Sequence, residues 1–225
     1  MRIVLPSIDD LMLVVNYLVH NSKSCFKVPV NNHSARLIDN DCMGRPKNFS
    51  RDGVLEKAIP VFWERGFADT SLQDLEKATG VNKSGLYSEF KDKEDLFQAS
   101  LQHYLVSLDG AGTLSKQPLG WENVEQFLKY SYGCMGQKGC FSVNSMREFA
   151  VLPPKARELM IDSVAQLKRL IVKNIRAEQT EMEPGVIADM ALTFFEGLCI
   201  EQNLQPSKLS ITRKIGTFMQ VVRKM

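Results

Sequence analysis

Apolar residues recur at helical spacing through nearly the whole chain from Ser50 onward, and nothing reads as a β-hairpin or a βαβ unit. Val54, Leu55, Ala58, Ile59, Val61 and Phe62 fall on one broad stripe and predict a helix that Gly66 stops. Pro60 inside it removes a backbone donor and predicts a kink. Thr70 followed by Gln73 has the form of a capping box, Leu72, Leu75 and Ala78 give a second, short helix its apolar face, and Gly80 suits a left-handed stop. Asn82 predicts the cap of a third helix running to about Phe90. Asp92 predicts the cap of a fourth, in which Leu96, Phe97, Leu101, Tyr104 and Leu108 share a face.

The Gly-, Pro- and Ser-rich stretch at 109–120 reads as a linker or long loop. Beyond it, Trp121, Val124, Phe127, Leu128 and Ser131 mark one helix, and the apolar positions from Ala156 to Ile175 mark a long one. Pro184 suits the first turn of a helix carrying Ile187, Met190, Ala191, Phe194, Phe195, Leu198 and Cys199. After Pro206 a last helix carries Leu209, Thr212, Ile215, Met219 and Val222. The fold class expected is all-α. Residues 43–108 form one helical domain and 109–225 a second.

Residues 1–42 differ in character. Leu11, Val14, Val15 and Leu18 have helical spacing, but the stretch then loses its periodicity, whereas patterned sequence begins at Met43. This segment is expected to be an over-extended start of the reading frame or, alternatively, a weakly ordered extension. Asp9 and Asp10 interrupt its apolar run, so it does not read as an export signal.

Composition narrows the classes. Hydrophobic residues make up 44% and charged residues 24%, a globular balance, and no run approaches the roughly 20 apolar residues of a membrane helix. A cytoplasmic location fits the five irregularly spaced cysteines, Cys25, Cys42, Cys134, Cys140 and Cys199, which form no CxxC zinc pattern. His20, His33 and His103 are scattered, and no carboxylate pair or nucleophile with a partner base stands out, so no metal, no cofactor and no catalysis is expected. The net charge of +2 points to no particular partner. Nucleic-acid binding must therefore rest on local arrangement.

Such an arrangement is present. A short helix, a stop at Gly80, the turn Val81–Asn82 and a further short helix form a helix-turn-helix, whose second helix enters the major groove. Lys83 and Tyr87 share its exposed face, while Leu86 and Phe90 must pack inward. Ser84, Gly85 and Ser88 are small enough for close approach to DNA, and Lys91 and Lys93 lie where a phosphate strand would pass. Residues 43–108 hold nine basic against ten acidic residues, so affinity must come from placement: Arg45, Lys47 and Arg51 in an arm, and the lysines around the third helix.

The run from Gly53 through Leu101, with Phe62, Gly66, Thr70, Leu75, Gly80, Val81, Leu86, Tyr87, Phe90, Lys93, Glu94 and Leu96 in order, resembles the DNA-binding domain of the tetracycline-repressor (TetR) family. MGRPK at 43–47 is similar to the basic start of many members, and GCFSVNSMREFA at 139–150 is loosely similar to one branch of the family. The resemblance implies an all-helical homodimer on a near-palindromic double-stranded operator, with repression relieved by a small inducer. Carried over by position, Thr70 and Ser71 would meet phosphate, Lys83 a base edge or phosphate, and Tyr87 and Lys93 phosphates. Glu89 departs from the pattern, since a carboxylate facing phosphate is repelled, and is expected to turn away or to read a cytosine amino group.

For a small, largely apolar ligand the candidate lining is Trp121, Phe127, Tyr130, Phe141, Met146, Phe149, Met190 and Phe194, although residues at this spacing are also ordinary core. The last two helices are the expected dimer interface, through Phe195, Leu198, Ile215 and Met219. Two alternatives stay open. One is a nucleoid or cell-division factor acting through a protein partner; the other is a repressor answering to thiol oxidation or electrophiles at Cys134 and Cys140.

Overall fold

The structure is a computed structural model that describes residues 49–134 and 138–225, the side chains of 131–134 excepted. Arg45, Lys47, the side chain of Cys134 and all of residues 1–42 lie outside the described residues. Every regular element among the described residues is helical: α1 (Arg51–Arg65), α2 (Leu72–Thr79), α3 (Lys83–Glu89), α4 (Lys93–Ser107), α5 (Gly110–Leu114), α6 (Trp121–Cys134), α7 (Phe141–Ser145), α8 (Pro154–Ile175), α9 (Pro184–Glu201) and α10 (Lys208–Val222), with 3-10 turns at Met146–Glu148 and Gln202–Leu204. The protein is all-α, as its periodicity predicts. Among the described residues no helix is long and apolar enough to cross a membrane.

The first four helices gather around α1. Its buried stripe of Val54, Leu55, Ala58 and Phe62 takes α2 on one side and α4 on another, with the Phe62 and Phe97 rings edge to face at 5.1 Å. The helix runs unbroken through Pro60, which stands on the exposed side, where the carbonyl it leaves unpaired can face water. Asn82 caps α3 through Gly85 N at 2.9 Å, and Asp92 caps α4 through Asp95 N at 2.8 Å.

At α2 the cap falls one residue later than the sequence pattern places it. Ser71 Oγ accepts from Asp74 N at 3.2 Å, and the Asp74 carboxylate accepts from Ser71 N at 3.0 Å and Ser71 Oγ at 2.6 Å. A carboxylate is a stronger acceptor than the Gln73 amide, so the Ser71–Asp74 pair prevails over Thr70–Gln73. Those hydrogen bonds also hold the Asp74 carboxyl below its usual pKa, with the Ser71 hydroxyl the largest cause.

The stretch at 109–120 is more than a linker. It contains α5, with Gly110, Thr113 and Leu114 buried, and a Cβ at Gly110 would come 3.3 Å from the Phe127 ring. Fully buried Asn174 of α8 organises the segment after α5: its Nδ2 donates to Leu114 O at 2.7 Å and Leu170 O at 2.9 Å, while its Oδ1 accepts from Gly120 N at 3.0 Å and Asn123 Nδ2 at 2.9 Å. All four hydrogen-bonding positions of the amide are filled, which pins the approach to α6 without stranding a polar atom.

Helix α9 packs along α8, and both meet α6, which also carries α10. The two halves share one apolar core, because Phe141 of α7 lies against Trp63 of α1 and against Phe97 and Tyr104 of α4.

Candidate nucleic-acid interface

Helix α3 is anchored from behind. Gly80 ends α2 in the left-handed region at φ 72°, its N–H donating to Glu76 O at 2.9 Å, and Thr79 Oγ1 accepts from Val81 N at 3.2 Å across the turn. Val81, Leu86 and Phe90 are buried, and the Glu76 carboxylate accepts from the Lys83 amide at the head of α3. The Arg51 guanidinium lies 4.2 Å over the Phe90 ring and donates to Glu89 O, which fixes the far end. Glu89 itself is half-buried. With its inner face and both ends held, α3 turns Lys83, Ser84, Tyr87 and Ser88 to solvent; Tyr87 is 43% exposed and Lys83 Nζ stands 5.8 Å from its ring. Lys91 is exposed just beyond, and Ser71 is exposed at the head of α2.

Arg51, expected in a basic arm, opens α1 with its guanidinium engaged on Phe90 and Glu89 O, and three further residues assigned to DNA from the sequence face elsewhere. Thr70 is 1% exposed and its hydroxyl donates to Gly66 O at 2.6 Å, so it braces the α1–α2 loop. Gly85 is half-buried, and a Cβ there would lie 2.6 Å from Val81 Cγ1; its smallness serves the seam between turn and helix. Lys93 Nζ donates to Phe67 O and Thr70 O, both at 2.9 Å, and sits 4.5 Å from the Phe67 ring. An ammonium with two carbonyls and an aromatic face is already satisfied internally and cannot reach outward to phosphate without losing them.

The residues expected to line a ligand pocket do not converge. Trp121, Phe127 and Phe141 are core, with the Phe127 and Phe195 rings 4.9 Å apart. Tyr130 and Met146 are half-buried, the Tyr130 hydroxyl accepting from Asp109 N at 3.3 Å. Phe149 is exposed, with the Arg157 guanidinium 5.9 Å from its ring. Met190 and Phe194 instead line an open groove of about 730 Å³ between α9 and α10, together with Val186, Leu198 and Phe218. There the Phe194 and Phe218 rings stack 4.2 Å apart, and the Lys214–Glu201 and Lys168–Asp189 pairs lie at the edges.

The expected interface residues are displaced in the opposite sense. Phe195, Ile215 and Met219 are buried in the chain's own core, and Leu198 only floors the groove. Neighbours on a helix are about 100° apart, so a wide apolar stripe leaves open which flank faces inward. A second cavity, about 240 Å³, lies between α1 and the α7 segment and is lined by Trp63, Arg65, Asn144 and Arg147 among others.

The Cys140 thiol is hydrogen-bonded to the side chains of Cys199 and Tyr104. Tyr104 Oη lies 3.6 Å from Cys140 Sγ. The hydrogen bond from Cys199, together with backbone donors at the start of α7, brings the Cys140 thiol down to about 7, while Cys199, held as the donor and buried, is pushed up.

Glu148 and Asn174 carry structural work that no motif signals. The Glu148 carboxylate accepts from Phe67 N at 2.6 Å and Ala68 N at 3.0 Å, a contact across 81 and 80 residues that only the fold creates.

Two helices joined by a left-handed glycine, the second presenting a rigid polar face, define a helix-turn-helix unit. Residues 54–100 match the family described as bacterial regulatory proteins, tetR family. Over 62 residues the chain is 52% identical to the HTH-type transcriptional repressor ComR of Escherichia coli, a stretch covering 28% of this chain and 30% of that protein. Over 169 residues it is 24% identical to the repressor DhaR of a Mycobacterium species, covering 69% of this chain and 85% of that one. The match to ComR thus spans about a third of that relative's length, as does the match to the regulator YezE of Bacillus subtilis, at 36%. The TetR family regulator CifR, solved with 26-bp double-strand operator DNA, superposes with a TM-score of 0.71 at 23% identity, covering 80% of this chain and all of that one. Reduced NemR of E. coli superposes at 0.66 and 19% identity, covering 76% of this chain and 96% of NemR. The likeness to tetR family regulators is thus one of sequence over residues 54–100 and one of fold over most of the described chain.

Proposed function

We propose that the protein is a homodimeric transcriptional repressor that binds double-stranded operator DNA through α3 and leaves it when a small ligand binds. The observation that carries the DNA reading is the outward face of Lys83, Ser84, Tyr87 and Ser88 on a helix pinned at both ends. Rigid display of a few side chains is what groove reading requires, since positioning by phosphate contacts and reading of base edges both fail if the helix rocks. CifR, solved on operator DNA, supports the same use of the fold.

A second copy seated on the α9–α10 groove would cover Met190, Phe194 and Phe218 and complete the dimer. An apolar floor with charged edges has the composition of a subunit interface. Release by a small, largely apolar inducer rests on the family resemblance.

Selection from a pool of random duplexes tests the reading. The wild-type protein should enrich a near-palindrome whose half-sites lie about one helical turn or a multiple apart. Enrichment of no sequence would refute operator binding, and a screen of compounds against the protein on the recovered duplex tests release.

The Cys140–Cys199 contact favours a second reading of the signal. A peroxide would oxidise the Cys140 thiolate to the sulfenic acid, and Cys199 would displace its oxygen as water to give the disulfide. Peroxide release of the duplex, abolished by Cys140→Ser, would replace the ligand by this chemistry.

A further inference from the structure

The loop from Gly66 to Ser71 enters the helix-turn-helix, and it is held between two opposite charges. On one side the Glu148 carboxylate takes the amides of Phe67 at 2.6 Å and Ala68 at 3.0 Å. On the other, Lys93 Nζ takes the carbonyls of Phe67 and Thr70, each at 2.9 Å. The site is built for the carboxylate: Gly66 adopts φ 83°, and a Cβ there would lie 2.4 Å from Glu148 Oε2. Hydrogen bonds to a charged group are the stronger kind, and two parallel ones fix angle as well as distance.

The other end of the same segment is fastened to the C-terminal helices. Glu148 closes the 3-10 turn that continues α7, and Gly139–Cys140 lead into α7 at a point where a Cβ on Gly139 would lie 2.1 Å from Cys199 O of α9. Asn203 Nδ2, just past α9, donates to Asn144 Oδ1 at 3.2 Å. Residues 139–148 therefore form a short strut. One end rests on the helix whose outer face is the proposed dimer surface, and the other grips the loop that aims α2 and α3.

The geometry points to Glu148 as the positioning residue for DNA recognition, acting through the Phe67 and Ala68 amides to fix the attitude of the helix-turn-helix relative to the C-terminal helices. It touches no DNA itself. The inference rests on the operator-binding reading and assigns the determinant of half-site geometry within it. A shift of α9 reaches α2 and α3 through this strut, because a carboxylate cannot stay bidentate to two amides if either partner moves by much more than about half an ångström from ordinary hydrogen-bond range.

The test uses the full chain and the duplex recovered by the wild-type protein from a random pool. Glu148→Gln keeps the shape but replaces one acceptor by a donor that faces an N–H. The variant should bind the recovered duplex about 10- to 100-fold more weakly, from the loss of a charge-assisted pair, with unchanged affinity for a scrambled duplex. Its affinities across duplexes whose half-sites are moved by one or two base pairs should also converge, which a general loss of stability would not produce. Amide exchange at Phe67 and Ala68 should accelerate in the variant. A folded Glu148→Gln protein with wild-type affinity and wild-type spacing preference would overturn the inference. If that variant does not fold, exchange in the wild-type protein decides: protection of both amides that deepens on the duplex supports the strut, and exchange at open-loop rates overturns it. Failure of the wild-type protein to select any sequence would instead refute operator binding.

Discussion

Phe194 and Phe195 are adjacent in sequence and should respond oppositely to substitution. Phe195 is 6% exposed and packs on Phe127 at 4.9 Å, so Phe195→Ala removes a core ring and leaves a cavity, at a cost of about 3–5 kcal/mol. Against a total stability of about 5–15 kcal/mol that is a large loss within the subunit. Phe194 is half-buried on the groove side and stacked on Phe218, so its truncation in an isolated subunit forfeits little beyond the stacking, about 0.5–1.5 kcal/mol. In a dimer closed over the groove, Phe194→Glu instead buries an unpaired charge in each copy. Even one such penalty of about 3–5 kcal/mol raises the dimer dissociation constant by roughly two to four orders of magnitude. Sedimentation equilibrium should therefore find folded monomer for Phe194→Glu, and denaturant titration at fixed protein concentration should find the large subunit loss in Phe195→Ala. A Phe194→Glu protein that stays dimeric at wild-type concentrations would refute the groove as the interface. Wild-type stability in Phe195→Ala would refute the placement of the two flanks.

Lys83→Ala should lower the slope of log affinity against log salt by about one for the phosphate contact it removes, read by fluorescence anisotropy between low and moderate salt, and an unchanged slope would show that Lys83 makes no phosphate contact. Lys93→Met should leave that slope alone while lowering folding stability by about 2–3 kcal/mol, since two loop carbonyls lose a cationic donor; a reduced slope at full stability would return Lys93 to the phosphates. The Cys140 thiol, held near 7 by the Cys199 hydrogen bond, should show thiolate absorbance in the ultraviolet that rises through about pH 7, is absent in Cys140→Ser and moves to higher pH in Cys199→Ala. Because this pKa is depressed in the fold, its stabilising contribution is fully present above the ordinary thiol range and is lost as pH falls through about 7; a midpoint in the ordinary thiol range would refute the contact.

Local features of this protein are legible in the amino-acid order alone. The 3.6-residue period marks the longer helices, though not the five-residue α5 and α7, Gly80 suits a left-handed stop, and Asn82 and Asp92 cap the helices they precede. The inward turn of Leu86 and Phe90 follows from the same period, and so does the outward turn of Lys83 and Tyr87, because a seven-residue helix between two fixed turns has one apolar flank to bury. Tertiary structure decided everything that depends on a partner far along the chain. Lys93 finds its carbonyls 26 and 23 residues away, and Glu148 finds its amides 81 and 80 residues away. A long charged side chain has the same local signature whether it meets solvent, phosphate or a loop. Gly110 reads as a loop glycine until the Phe127 ring lies over it. In α9 the apolar stripe spans more than one neighbour, so periodicity cannot say whether Phe194 or Phe195 faces inward. That choice is made by where α6 packs, since the flank it covers becomes core and the other is left to the groove with α10.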